Sequence, residues 1–321
     1  MISPLVVVIC MIHGIINIYK EKGFTSFDVV AKSRGIFKQK KIGHTGTLDP
    51  DAEGVLPVCF GKATKVCDLL TEKNKEYRAV MLLGKVTDTQ DISGTVLEEH
   101  EVNVSEEAVK EAVMSFLGDI MQVPPMYSAL KVNGQKLCDL AREGKTVERK
   151  ARPVTIHELE ILAIDLPRVT MRVKCSKGTY IRTLCEDIGI KLGCGACMES
   201  LLRTKVSEFL IEDAIKLSEL EQLVKEYTEG IAPAEWNAKL FPFVRSVDSV
   251  FLKYPMAVVT KEHNKLLYNG NRLVSPMLKE ELQGYRMQPV RIYDEEGHFI
   301  GIYEYDANRE DYKPVKLFLE E

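Results

Sequence analysis

Residues 41 to 57, Lys41-Ile-Gly43-His44-Thr-Gly46-Thr-Leu48-Asp49-Pro50-Asp51-Ala-Glu53-Gly54-Val-Leu-Pro57, constrain this chain more than any other stretch. The glycines open backbone conformations denied to other residues, while Pro50 fixes its own φ and restricts Asp49 before it. Asp49 therefore sits in an irregular loop, preceded by a candidate exposed histidine, His44. Ordering such a loop is unfavourable unless the surrounding fold holds it and puts it to use.

At 321 residues and 45% hydrophobic, the chain is long enough for a large domain with a well-buried core and a small second one. Its net charge of -4 is slightly repelled by phosphate, so a nucleic-acid partner has to be held by local basic groups. Lys20, Lys22, Lys32, Arg34, Lys38, Lys40 and Lys41 precede the Asp49 loop, and Lys62, Lys65, Lys73, Lys75 and Arg78 follow it. Arg142, Lys145, Arg149, Lys150 and Arg152 make a third group, and Arg168, Arg172, Lys174, Lys177 and Arg182 a fourth. Any one of these reads as a solvated face; together, around one unusual loop, they point to a polyanion.

The eight cysteines are scattered, and only Cys194-Gly-Ala-Cys197 has a metal-like spacing. It lacks a second pair or a nearby histidine, so no metal is expected, and free thiols in a reducing cytoplasm fit better. The apolar run Leu5 to Ile12 is too short to span a bilayer and has no basic flank. Met11 reads as a natural start, which makes residues 1–10 a loosely ordered extension.

Ile15 to Ile18 reads as a strand, and Ser26 as the cap of a helix carrying Val29, Val30 and Ile36. Tyr77 to Leu83, the turn residues Asp88 to Gly94 and Thr95 to Leu97 read as a hairpin. Ser105 starts a helix burying Val109, Val113, Phe116 and Leu117 and ending at Gly118. Gln122 to Lys131 is extended by its prolines. Val169 to Cys175 alternates as a strand, after which Thr179 caps a helix with the apolar face Ile181, Leu184, Cys185 and Ile188. Helix is expected over Leu217 to Tyr227, and composition changes near Trp236 to Val244. Beyond lie short strands near Ala257–Val259, Pro289–Tyr293, Phe299–Tyr303 and Val315–Phe318, which suit a β-rich module of about 75 residues.

Two familiar motifs are imitated by the 41–62 region and fail. Asp49 to Gly54 mimics the start of a calcium loop, but its twelfth position is Phe60, which cannot ligate. Gly54 to Lys62 resembles a phosphate loop with the wrong glycine spacing and Ala63 in place of the hydroxyl. By residue type alone Asp49 serves equally as nucleophile, general base or cap of the following turn.

Gly43-His44-Thr45-Gly46-Thr47-Leu48-Asp49-Pro50 followed by Gly54-Val55-Leu56 resembles the signature of the TruB family, the tRNA pseudouridine-55 synthases. Further segments similar to the family occur in the same order: Lys73-Asn-Lys75-Glu-Tyr77, Thr87 to Asp91, Pro124 to Lys131, Ala141 to Gly144, and Gly178-Thr179-Tyr180-Ile181-Arg182. The resemblance covers about residues 14 to 210, and the tail more loosely. It implies an α+β pseudouridine synthase fold with a mixed, largely antiparallel sheet. It also implies a small C-terminal β-rich PUA-like domain.

By that resemblance Asp49 is the catalytic residue, attacking the target nucleoside or removing a ribose proton, with no cofactor or metal. Arg182 is implied as the cation that keeps Asp49 charged, Tyr77 as the ring that stacks on the extruded uracil, and His44 as the group that props the gap in the RNA. A hydrogen bond within its own loop is the competing reading of His44. Tyr180 and Lys20 are implied as supporting and loop-ordering groups, and Leu201 as an apolar wall against the base. Asp91 is expected to close its own turn. Asp51 and Glu53 are expected to point outward, since inward they would raise the proton affinity of Asp49. Cys138 departs from an aromatic expected before Ala141, a change expected to loosen packing only.

The domain expectation is an extension over 1–10, a catalytic domain over 11–240 and a PUA-like RNA-binding domain over 245–321. The expected activity is isomerisation of a T-loop uridine of tRNA by a monomer that needs no protein partner and no membrane. Rival readings are a non-catalytic tRNA-binding or folding factor, a guide-RNA-dependent synthase, and a metal-dependent hydrolase built on Asp49, Asp51 and Glu53.

Overall fold

The computed structural model describes residues 11–132, 134–228, 240–280 and 287–319. The expectations for residues 1–10 and for Trp236 lie outside the described residues. No helix among the described residues is long and apolar enough to cross a membrane.

A large mixed sheet is built from strands between Gly14 and Arg245. Its strands run in the order Ile215–Lys216, Gly14–Lys20, Glu53–Phe60, Ala196–Val206, Lys75–Leu83, Arg168–Cys175, Arg152–Asp165 and Gly118–Gln122. Only the Ile215–Lys216 pairing with Gly14–Lys20 and the Ala196–Val206 pairing with Glu53–Phe60 are parallel; the rest are antiparallel, as expected. Val244–Arg245 also joins this sheet, on Gly14–Lys20.

The hairpin expected from Tyr77 does not form. Lys75–Leu83 is a central strand between Ala196–Val206 and Arg168–Cys175, and its alternate residues Tyr77, Ala79, Met81 and Leu83 are buried. The local return strand Val96–Glu99, exposed throughout, pairs instead with Lys85–Thr87. Long-range burial outweighs the nearby turn because one face of Lys75–Leu83 is apolar and has to be covered.

Helix Ser26–Phe37 is capped by Thr25 and not by Ser26, through a capping box in which Thr25 Oγ1 accepts from the Asp28 amide and Asp28 accepts from the Thr25 amide. Helix Glu106–Met114 is capped by Ser105 as expected, but it ends before Gly118, and Leu117 is exposed. Helix Ile181–Leu192 starts after Tyr180; Thr179 does not cap it, its hydroxyl donating to the Ser176 carbonyl instead. The expected face of this helix, Ile181, Leu184, Cys185 and Ile188, is buried against Ala79, Met81, Val169 and Met171 of the sheet. Each such aliphatic burial contributes roughly 1.5–3 kcal/mol, which fixes the helix and its first turn against the strands.

The C-terminal part is a four-stranded sheet in the order Met256–Val258, Val290–Tyr293, Phe299–Asp306 and Asp311–Leu317, close to the strands read from sequence. Its own core holds Val259, Leu267, Val290, Ile292 and Tyr303. A further apolar cluster joins Ile15, Val55 and Val66 to Phe251, Ile302 and Phe318, so the two sheets share packed surface.

Candidate active site

The Asp49 loop leaves the short strand Ile42–His44 and re-enters the sheet at Glu53. Backbone bonds close it: the Thr45 amide donates to the Pro57 carbonyl at 3.2 Å, Gly23 to Pro50 at 2.9 Å, and Ala52 to Asp49 at 3.1 Å. The turn after Asp49 thus uses its carbonyl oxygen. Its carboxylate is not the cap and is left for another partner.

That partner is Arg182. Its Nε lies 3.0 Å from Asp49 Oδ2, with the Arg182 side chain only 6% exposed and that of Asp49 40% exposed. Nη1 donates to the Thr89 carbonyl at 2.9 Å and Nη2 to the Tyr127 carbonyl at 2.8 Å, which holds the guanidinium from three sides. Burial pushes the Asp49 carboxyl above the usual aspartate range, the Arg182 guanidinium opposes the shift, and the Asp91 carboxylate adds to it.

Asp91 goes beyond its expected turn-closing role. Its Oδ1 accepts from the Ser93 amide and the Thr89 hydroxyl, but its Oδ2 reaches Arg182 Nη1 at 3.5 Å. The turn carrying it docks on the head of the Ile181–Leu192 helix, where Gln90 binds Thr183 and Glu186. Asp51 and Glu53 stay clear of Asp49: Asp51 lies 4.0 Å from Lys22 at the surface, and Glu53 accepts from the Tyr19 hydroxyl.

Lys20 is fully buried beneath the loop. Its ammonium donates to the Ala52 carbonyl at 2.5 Å and the Pro50 carbonyl at 3.1 Å, and burial lowers its pKa to about 8 against the opposing pull of Asp49. Ser26, displaced from its expected capping role, is a first-turn helix residue whose Oγ accepts from the Leu48 amide at 2.9 Å. His44 is half-buried and its Nδ1 accepts from the Gly46 amide at 3.3 Å, the bond within its own loop; burial and the Arg203 charge lower its pKa.

Tyr77 and Leu201 lie in one apolar cluster with Leu48, each 8% exposed. Tyr77 lies directly opposite Arg203 across the paired strands, and burial pushes its phenol up to about 12 against the opposing Arg203 charge. Tyr180 precedes the helix, its backbone amide and carbonyl both held by the Gln122 side chain at 2.7 and 3.0 Å. The structure thus brings Asp49 and Arg182 into direct contact, holds Lys20 on the loop backbone at Pro50 and Ala52, and places Tyr77 with Leu201 by packing.

Sequence reasoning missed Asp91 as a partner of Arg182, Ser26 as a loop anchor and Arg203 altogether. The available signal for Arg203 is a cation directly after the apolar pair Leu201-Leu202 inside the strand-like run Met198 to Val206. Much of the fourth basic group is no polyanion surface: Arg168 pairs with Glu199, Arg172 with Glu76, Glu158 and Glu160, Lys174 with Glu158, and Lys177 with Glu72. Cross-strand neighbours on one sheet face neutralise one another there.

Comparison with known proteins gives the family of the chain. Residues 34–181 match the family described as TruB family pseudouridylate synthase (N terminal domain), and residues 182–251 match the tRNA pseudouridylate synthase B C-terminal domain. The chain is 54% identical to the tRNA pseudouridine synthase B of Lachnoclostridium phytofermentans, covering 96% of this chain and 100% of the relative. It is 50% identical to that of Clostridium novyi, covering 90% and 94%. Among solved structures, a Cbf5-Nop10-Gar1 complex superposes with a TM-score of 0.70 at 27% identity over 95% of this chain and 85% of the other. An H/ACA RNP bound to a substrate RNA containing 2'-deoxyuridine gives 0.69 at 25% identity over 96% and 85%. On this agreement over nearly its whole length, the chain belongs to the TruB family of pseudouridylate synthases.

Proposed function

We propose that this chain converts the T-loop uridine of tRNA, position 55, to pseudouridine, with Asp49 as the reacting carboxylate. The observation that carries the reading is the 3.0 Å contact between a half-buried Asp49 and the buried Arg182 guanidinium. The names of the relatives, tRNA pseudouridine synthase B, support the reaction class. The exchange breaks the C1'–N1 bond of uridine and joins C1' to C5; the C5 proton is released and N1 takes one up, so atoms balance. It is an isomerisation, so it needs a placed carboxylate and a sheltered pocket more than an external reagent.

Two routes suit one carboxylate: attack on the nucleoside, or removal of a ribose proton. In both, the uridine leaves its stack, at a cost of a few kcal/mol, and enters the apolar cluster where Tyr77 and Leu201 flank the base. His44 props the RNA from which the base departs, Lys20 keeps the Asp49 loop in shape, and Tyr180 supports the entrance to the helix that carries Arg182. Recognition rests on the folded shape of the T-loop. The C-terminal sheet holds tRNA outside the cleft, and the protein acts as a monomer without a guide RNA.

The test is tritium release from tRNA labelled at uridine, with position-resolved mapping of pseudouridine. The unaided chain releases tritium from a bare T-stem-loop, and Asp49→Asn binds the same RNA without release. Undiminished release by Asp49→Asn refutes the role of the carboxylate. RNA binding without turnover by the native chain favours a folding factor, and turnover only with added guide RNA favours the dependent branch of the superfamily.

A further inference from the structure

We infer that Arg203 is a positioning residue that holds Tyr77 and the Asp49 loop in register with each other. The inference rests on the reading of Asp49 as the reacting group. Arg203 is 1% exposed and is among the largest fully buried side chains of the protein. A charge removed from water is costly to keep unless its partners are well placed, and natural proteins usually supply a carboxylate. Arg203 has neutral partners instead.

Its Nε donates to the Val55 carbonyl at 2.7 Å, its Nη1 to Thr47 at 3.4 Å and its Nη2 to Gly46 at 3.3 Å. On the other side it faces Tyr77, its cross-strand partner, whose phenol interacts with the guanidinium charge. Gly46 and Thr47 enter the Asp49 loop, Val55 leaves it, and Tyr77 is the ring against which the base is proposed to stack. A planar, rigid fork of donors is suited to fixing several acceptors at once.

The backbone enforces the same meeting. Arg203 lies opposite Gly54 on one neighbouring strand and opposite Tyr77 on the other. Gly54 has φ +106°, and a Cβ there would stand 2.2 Å from the Arg203 carbonyl oxygen. The glycine of the signature is thus required by the close approach of Arg203. The charge also reaches past the loop: together with burial it opposes protonation of His44 and Lys75.

The experiment uses the full chain and a T-stem-loop RNA, measuring single-turnover pseudouridine formation at saturating protein and RNA affinity separately. Tyr77→Phe keeps the ring and loses the hydroxyl that faces Arg203; Arg203→Lys keeps charge and loses the fork. Each is expected to hold RNA within about 3-fold of the native affinity while the turnover step slows by about 10-fold or more. The double variant is expected to be no slower than Arg203→Lys alone, since both changes break one link.

Native-rate turnover by Tyr77→Phe overturns the inference. So does a multiplicative double variant, or an Arg203→Lys defect accounted for by folded fraction or RNA affinity. If Arg203→Lys does not fold, Tyr77→Phe decides alone: slowed turnover at unchanged affinity supports the inference and a native rate sinks it. A native chain that forms no pseudouridine refutes the proposed function. Native turnover with an inert Asp49→Asn and a native-rate Tyr77→Phe refutes only the role of Arg203.

Discussion

Arg182 Nε stands 3.0 Å from Asp49 Oδ2 while the same guanidinium reaches Asp91 at 3.5 Å, so one buried cation serves two carboxylates. Its other contacts, the Thr89 and Tyr127 carbonyls, leave it no freedom to favour either acid by moving. The proton affinity of Asp49 is therefore set by burial first, by Arg182 against it and by Asp91 with it. That order has consequences for how the protein responds to acid.

The turnover rate is expected to fall on acidification with a midpoint above the ordinary aspartate value of about 3.9. Asp91→Asn removes the like charge and moves that midpoint to lower pH, whatever it does to the plateau rate. Because the folded-state pKa of Asp49 is raised, the folded chain binds its proton more tightly than the unfolded chain does. Stability from this group is thus lost as pH rises from the unfolded value through the folded one. Asp49→Asn is accordingly expected to melt no lower than the native chain at neutral pH. A rate profile on T-stem-loop RNA checks the first point, and an upward or absent shift in Asp91→Asn would sink it. Thermal melts check the second.

Ser26 anchors Leu48, the residue before Asp49, through its hydroxyl at 2.9 Å. Ser26→Ala leaves the buried Leu48 amide without its partner, at an expected cost of about 1–3 kcal/mol in stability. Turnover is expected to suffer more than RNA affinity, because the loop loosens beside the reacting group. Denaturant unfolding and single-turnover rates measure both; a variant weakened only in RNA binding contradicts the anchor.

Gly54 and Gly178 separate conformational strain from collision. Both have positive φ, +106° and +77°, but a Cβ at Gly178 meets nothing within 4 Å whereas one at Gly54 meets the Arg203 backbone. Gly178→Ala is expected to cost about 1 kcal/mol, and Gly54→Ala more than about 3 kcal/mol together with most of the turnover. Equal melting temperatures for the two variants would remove the collision argument.

Affinity for the T-stem-loop is expected to weaken linearly in log–log form with added salt, each lost phosphate contact reducing the slope by about 0.7–0.9. Lys32, Lys38 and Lys40 are exposed, precede the Asp49 loop in the chain and are expected to contribute. Lys174, paired with Glu158 at 2.5 Å, is not. Comparing salt titrations of Lys38→Ala, Lys40→Ala and Lys174→Ala decides the matter: a slope reduced only in Lys174→Ala would mean the RNA lies along the strand that carries Lys174 and not at these exposed lysines.

The sequence alone determined the features whose cause is local. Gly43 to Gly54 announced an irregular loop around Asp49, the spacing of Ile181, Leu184, Cys185 and Ile188 a helix face, and the tail its short strands. Glycine, proline and a period of 3.6 act within a turn or two, so they can be read in one dimension. Tertiary structure decided what depends on distant partners. Arg182 meets Thr89 across 93 positions and Arg203 meets Val55 across 148. Only packing shows that Lys75–Leu83 is a central strand, that Ser26 holds Leu48 rather than capping its helix, and that Arg172 is occupied by carboxylates. An acid, an arginine and a tyrosine carry their chemistry in their side chains, but proximity belongs to the fold that buries them together.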